Sequence, residues 1–274
     1  LWQLFRDCGY VAKRINLAYE DFGSDENAVV VIYSPKTDFI DKTTSQSFDE
    51  IAKLKDFLSL NNHSLYVCID YGSQDLPVLE GFLLDSFGVK YGKEKLTDSG
   101  ANSVSIDGFA LSAGLNREGN GISGRVIQNS ESTGGSKKTI FNIARSLDVD
   151  ASKGTQILCT VPETVTNNDA GNGLLCLAET DGSGIAVISG SSNFTASYYL
   201  DSYVYLNRDL TLNLIAEMTS DAPVPSGIAF KLISNEGLDI THKQAIIWTV
   251  VITATLPLVF AVAGIVVYIR RRHS

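Results

Sequence analysis

The sequence predicts a doubly wound α/β domain followed by one C-terminal transmembrane helix, and three observations carry that reading. Through the first third of the chain, β-branched apolar runs alternate with helix-periodic stretches, the order that gives parallel strands joined by right-handed crossovers. The 274 residues are 44% hydrophobic, enough for a packed core in one large domain or two small ones. From Ala245 to Ile269 no residue is charged, and Arg270, Arg271 and Arg272 follow at once, as in a bilayer span with a basic cytoplasmic flank.

The elements follow in order. Trp2 to Cys8 reads as helix and Val11 to Leu17 as extended chain. Ala28 to Tyr33 (AVVVIY) is a β-branched run of the kind covered on both faces. Phe48, Ile51, Leu54, Phe57 and Leu58 recur at helical spacing, with Thr43 to Ser47 offering caps. Leu65 to Ile69 forms a second buried strand, after which Asp75 caps a helix carrying Leu79, Phe82, Leu83 and Phe87. Asp98 to Lys138 is rich in Gly, Ser and Asn and reads as a surface excursion with few short strands. Strand-like runs return at Thr139 to Ala144, Gln156 to Thr160, Gly173 to Ala178 and Ile185 to Ser189, and a last helix spans about Asp209 to Met218, with Asn207 as a cap.

The apolar run sets the predicted organisation. Residues 1–219 form an extracytoplasmic domain, 220–244 a linker, 245–269 the membrane helix and 270–274 a cytoplasmic basic tail. Trp248 and Tyr268 fall where interfacial aromatic belts lie, and Pro257 and Gly264 bend or pack the helix. The expected location is the cell membrane, single-pass, with the lipid bilayer as a partner. An exported domain needs a targeting signal and the sequence opens on Leu1, so a preceding hydrophobic piece is expected.

Charge excludes one class of partner. With 22 Lys and Arg against 31 Asp and Glu, the formal charge is −9, and the clustered cations that nucleic acid demands are missing.

Chemical motifs are few. Gly119 to Gly124 matches GxGxxG, but polar residues precede it where a dinucleotide site needs a buried strand, so it reads as a flexible loop. The three histidines, His63, His242 and His273, are far apart, and no metal spacing, GxSxG or HExxH occurs. No cofactor, metal or catalytic residue is predicted. Cys68, Cys159 and Cys176 sit in apolar runs, where they read as small buried hydrophobes; a disulfide would pair Cys159 with Cys176 if their strands are neighbours.

Two strand-end loops remain as candidate ligand or partner sites. They are Ser34, Pro35, Lys36, Thr37 and Asp38 after the first strand, and Ser191, Ser192 and Asn193 after Ile185 to Ser189, because ligands of open α/β sheets bind beyond the carboxyl ends of strands.

On Val29 to Asp38, Leu54 to Leu58, Ile143 to Leu147, Gly190 to Phe194, Asn207 to Leu210 and the closing Leu256-Pro257-Leu258, Ala263 to Val267 and triple Arg, the chain resembles the GldG family of ABC-2-type transport auxiliaries. The resemblance implies a flavodoxin-like exported domain, related in shape to glutamine amidotransferases. It also implies an ABC-2 permease and a separately encoded cytoplasmic ATPase as partners, with no catalytic residues to transfer. The expected function is therefore a membrane-anchored, non-enzymatic accessory subunit whose exported domain binds substrate or partner. One alternative is an exported hydrolase or transferase, which requires Asp38, Asp70, Cys68 or Asn193 to converge in one pocket. Another is a single-pass surface receptor glycosylated at Asn62 or Asn193, both of which lie in sequons.

Overall fold

The computed structural model describes residues 1–219 apart from 24, 26, 44, 46–47, 74, 101–103, 117–120, 123, 128–137 and 203, and beyond these 243–244, 246–251, 253–254, 265 and 270–271. The described strands are β1 Val29–Tyr33, β2 Ser64–Cys68, β3 Val89–Tyr91, β4 Ala110–Leu115, β5 Thr139–Asn142, β6 Leu147–Val149, β7 Gln156–Thr160, β8 Gly173–Glu179 and β9 Ile185–Ser189. They form one curled mixed sheet in the order β1-β2-β9-β8-β7-β4-β5, with β6 pairing β8 and β3 pairing β6. The helices are α1 Trp2–Asp7, α2 Glu50–Leu58, α3 Pro77–Phe87, α4 Ser197–Leu200 and α5 Asn207–Thr219.

The doubly wound parallel sheet is corrected by this topology. Only β1, β2 and β9 run parallel; β8 is antiparallel to β9, β7 to β8, and β4 to both β7 and β5. The reason lies in the connections. A parallel pair needs a crossover of a dozen or more residues, and α2 supplies it between β1 and β2. Between β8 and β9 there are only residues 180–184, with Ser183 at φ +60°, so the chain must turn straight back.

Two apolar layers cover the sheet. Along β2 the side chains alternate: Leu65 and Val67, with the following Ile69, face a core shared with Leu54 and Phe57 of α2 and Leu79, Phe82 and Leu83 of α3. Tyr66 and Cys68 face the other layer, with Leu210, Leu214 and Ile215 of α5 and Leu4 and Phe5 of α1. All five β2 residues are buried, so this strand is the spine of both cores. Each buried Leu or Val contributes about 2 kcal/mol on removal from water.

Caps come from farther away than local patterns suggest. The α2 cap is Asp49, whose side chain accepts the Ala52 N–H at 2.7 Å, not a residue of 43–47. Asp38, at the end of the first strand-end loop, receives the Val78 and Leu79 N–H groups at 2.8 and 3.1 Å. It thereby does for α3 what Asp75 was expected to do. The surface excursion also gives up part of its chain to the core. The described residues of 121–127 are helical, with Ile122 and Val126 buried, which corrects the flexible-loop reading of the glycine motif; Gly119, Asn120 and Ser123 lie outside the described residues.

Among the described residues no helix is long and apolar enough to cross a membrane. This overturns the transmembrane helix at 245–269, and with it the cell-membrane location and the two-sided placement of 1–219 and 270–274. Hydropathy reports composition, whereas a span requires a hydrogen-bonded helix of about 20 residues, and no described helix combines that length with that apolarity. Trp248, Arg270 and Arg271 are among the described residues; Pro257, Gly264, Tyr268 and Arg272 lie outside them, as does all of the 220–244 linker except Lys243 and Gln244.

Candidate functional site

The parallel strands β1, β2 and β9 end on one side of the sheet, and this brings the two predicted loops together with Asp70. Ser192 donates its backbone N–H to one carboxylate oxygen of Asp70 and its hydroxyl to the other, each at 2.5 Å. The Ser192 carbonyl accepts the Tyr33 hydroxyl at 2.8 Å and the Thr195 hydroxyl at 3.1 Å. Ser191 is buried, and its hydroxyl is spent on the Asn142 carbonyl at 2.5 Å. Asn193 opens the short 3-10 turn Asn193–Thr195. The second loop is thus a strut between β2, β5 and β9.

The first loop divides in two. Ser34 holds φ +45°, a left-handed conformation costly for a residue with a side chain, and its N–H is fixed to the Cys68 carbonyl at 2.9 Å. Asp38 is committed to α3. Between them Pro35, Lys36 and Thr37 border a cleft of about 410 Å³ that also receives Asp38, Phe39 and Glu50. It is also lined by Val30, Val31 and Ile32 of β1, by Phe22 and by Ile15 to Leu17.

Asp38, Asp70 and Cys68 do not meet as free groups: Asp38 is bonded to α3 and Asp70 to Ser192. Cys68 is fully buried, and burial pushes its thiol well above the ordinary value, opposite to the lowered value of an activated nucleophile. Cys159 and Cys176 do lie on neighbouring strands, but they face Leu175 and Ile157, and they enter opposite cores. Both are free thiols. Opposite faces of a sheet cannot meet disulfide geometry. His63 is buried against the Phe57 ring at 4.3 Å. No group of three or more His, Cys, Asp or Glu among the described residues could hold a metal ion.

Sequence reasoning passed over Arg145. Its Nε donates to the Gly92 carbonyl at 2.5 Å, its terminal amine pairs with Glu80 at 3.0 Å, and its guanidinium lies 5.1 Å from the Tyr91 ring centre. A lone cation inside Ile143-Ala144-Arg145-Ser146-Leu147 was the available signal, because a charge in an apolar run survives burial only when paired.

No family model and no curated protein matches the chain. No match supports the GldG or transporter assignment, and the membrane-anchored part of that expectation has fallen with the span. A solved structure described as the mmIFT52 N-terminal domain is similar to this chain, with a TM-score of 0.52 and 14% identity over 70% of this chain and 76% of that one; at that identity the likeness shows a shared fold alone.

Proposed function

We propose that this chain is a non-catalytic, partner-binding domain, an accessory component of a larger protein assembly. One observation carries the reading. The polar groups at the strand ends are spent within the fold, Asp70 on Ser192 and Asp38 on α3, while the adjoining β1 leaves Val31 40% and Tyr33 44% exposed beside an open cleft. Apolar side chains on an open sheet edge are what a protein partner covers. A reacting substrate would instead need convergent groups free to exchange protons.

The test is affinity isolation of the full chain at its native expression level, with quantitative mass spectrometry of what remains bound. The expected result is a protein partner at fixed stoichiometry. Recovery of a permease with its ATPase would attach that assembly to transport. Isolation without any stoichiometric partner, together with a turnover activity abolished by Asp70→Asn, would overturn the reading in favour of an enzyme.

A further inference from the structure

The ring of His63 stands between two backbone carbonyls from different parts of the chain. Its Nδ1 lies 3.1 Å from the Phe57 carbonyl oxygen, near the end of α2, and its Nε2 lies 3.0 Å from the Asp25 carbonyl oxygen, in the segment that leads into β1. His63 is only 3% exposed, so water has little access to either nitrogen. A neutral imidazole carries one N–H and one lone pair. In either tautomer that lone pair points at a carbonyl oxygen, which repels it, and only the doubly protonated ring donates to both.

The surroundings favour that cation in three ways. Charge-assisted hydrogen bonds are roughly twice as strong as neutral ones, and the ring makes two. It sits at the C-terminal end of α2, the negative end of the helix dipole. It also lies against the Phe57 ring, with centroids 4.3 Å apart, and an aromatic face attracts a cation. Of the charged groups on the elements packed around it, Asp25, Asp56 and Asp181 are exposed, and Glu20 accepts the Asn16 N–H. Lys53 pairs with Asp21 at 2.8 Å and Lys55 lies over the Phe82 ring at 5.9 Å. Both lysines are thus engaged elsewhere, and neither opposes a proton on the imidazole.

The two carbonyls differ in what holds them. Phe57 is fixed in α2, and its carbonyl also accepts the Leu60 N–H at 3.1 Å, whereas Asp25 is exposed and belongs to no helix or strand. A ring that loses a proton therefore keeps Nδ1–H on Phe57 and turns its lone pair toward Asp25, which yields. Two other contacts hold the same segment on α2. The Lys53 ammonium donates to the Leu17 and Glu20 carbonyls at 2.9 and 3.2 Å, and the Phe22 ring packs on Phe57 at 4.6 Å. Of the three tethers, only the imidazole is of a kind that gains or loses a proton near neutral pH.

We infer that His63 is a proton-dependent tether: doubly protonated, it pins the Asp25 carbonyl to the end of α2, and on losing a proton it lets that carbonyl go. Phe22 and Ile15 to Leu17 line the cleft beside β1, so the proton sets how firmly that wall is held. The tether is independent of the partner-binding reading. Its sign is fixed by linkage. The folded chain holds a proton that the unfolded chain keeps only below about pH 6.5, so the stabilisation is complete below that pH and is lost as pH rises through the ring's titration in the folded protein.

The experiment uses the full chain labelled with nitrogen-15. Ring shifts should show both His63 nitrogens protonated at about pH 6.5, where a free histidine is half deprotonated. As that proton is lost, the order parameters of the Gly23 and Asp25 amides should fall while those of Ile51 and Leu54 in α2 stay constant. The unfolding constant of the wild type relative to His63→Gln, whose amide carries no titrating proton, should rise roughly tenfold between about pH 5.5 and 8. A proton-free ring nitrogen in the main species at about pH 6.5, a relative unfolding constant that is flat over that range, or Gly23 and Asp25 amides that ignore the ring, each overturns the tether. The ring and amide readings need no variant, so the test stands if His63→Gln misfolds.

Discussion

Asn207 closes the far edge of the sheet by exchanging two hydrogen bonds with the backbone of Ile140, at 2.9 and 2.7 Å, while its amide also reaches the Phe194 carbonyl at 2.8 Å. Both Asn207 and Ile140 are fully buried, so neither group can turn to water. Asn207→Ala leaves the N–H and C=O of Ile140 unpaired, and each unsatisfied buried group costs about 1–3 kcal/mol. The expected loss is about 3 kcal/mol, seen as a lower urea midpoint at unchanged slope. Asn207→Asp keeps one acceptor but places a carboxylate against two carbonyls, and should be no more stable than the alanine variant. A loss below about 1 kcal/mol for both would show that Asn207 does not seal the edge.

Arg145, two residues before β6, reaches α3 through Glu80 and the turn after β3 through Gly92, with Tyr91 against its guanidinium. Its donors point in two directions, which a planar fork serves and a single ammonium does not. Arg145→Ala should cost about 1–3 kcal/mol, because the Gly92 carbonyl loses its donor while the half-buried Glu80 can turn to water, and Arg145→Lys should recover less than half of it. A double-mutant cycle with Glu80→Gln measures the pair itself. Coupling near zero would assign the whole effect to Gly92 and Tyr91.

How much of this was legible in the sequence depends on distance along the chain. β7 and β9 occupy the residues their apolar runs mark, and β1, α2, β2 and α3 follow from periodicity that is local. The antiparallel half had its own cue, Asp181-Gly182-Ser183-Gly184 between two apolar runs, a hairpin signal outweighed by the α/β alternation that precedes it. The candidate loops were visible as strand ends, but what they bond was not. Ser192 meets Asp70 across 122 residues and Asp38 meets α3 across 40, and no local pattern encodes such pairings. The uncharged 245–269 run is a strong local signal of a span, yet no described helix is long and apolar enough to be one.

Buried thiols make alkaline pH the weak side of this fold. Burial raises Cys68, Cys159 and Cys176 well above the ordinary thiol value, so the native chain keeps protons that the unfolded chain releases above about pH 8.5. There the unfolded state binds fewer protons, and the stability present below that pH is lost as pH rises, by about 1.4 kcal/mol per pH unit for each thiol. Urea unfolding at pH 8, 9 and 10 in reductant should show the fall beginning above about pH 8.5, and Cys68→Ala should reduce its slope by about a third after its own constant cost. Stability that is flat from pH 8 to 10 would mean that the thiols ionise in the native state.

The hairpin between β8 and β9 is positioned by backbone contact, and its glycines differ sharply from a glycine elsewhere in what they tolerate. A Cβ at Gly184 would overlap the carbonyl of His63, and one at Gly182 the carbonyl of Leu60. The obstacle is main chain, itself held by the Asn62 N–H to Gly182 and Thr180 hydroxyl to His63 bonds at 2.9 and 3.1 Å, so no rotamer change can relieve it. Gly184→Ala must push the 60–63 turn away from the hairpin, and with it the start of β2, the spine of both cores. The expected cost is at least about 3 kcal/mol, at the upper end for single substitutions. Gly72, also in a turn, has open space where a methyl would stand, with nothing within 4 Å, and no positive φ; Gly72→Ala should be neutral or stabilise by up to about 1 kcal/mol through the unfolded chain. Thermal unfolding of the two variants side by side distinguishes contact from glycine content: equal midpoints would mean that the close approach of residues 182–184 to the 60–63 turn does not hold the hairpin in place.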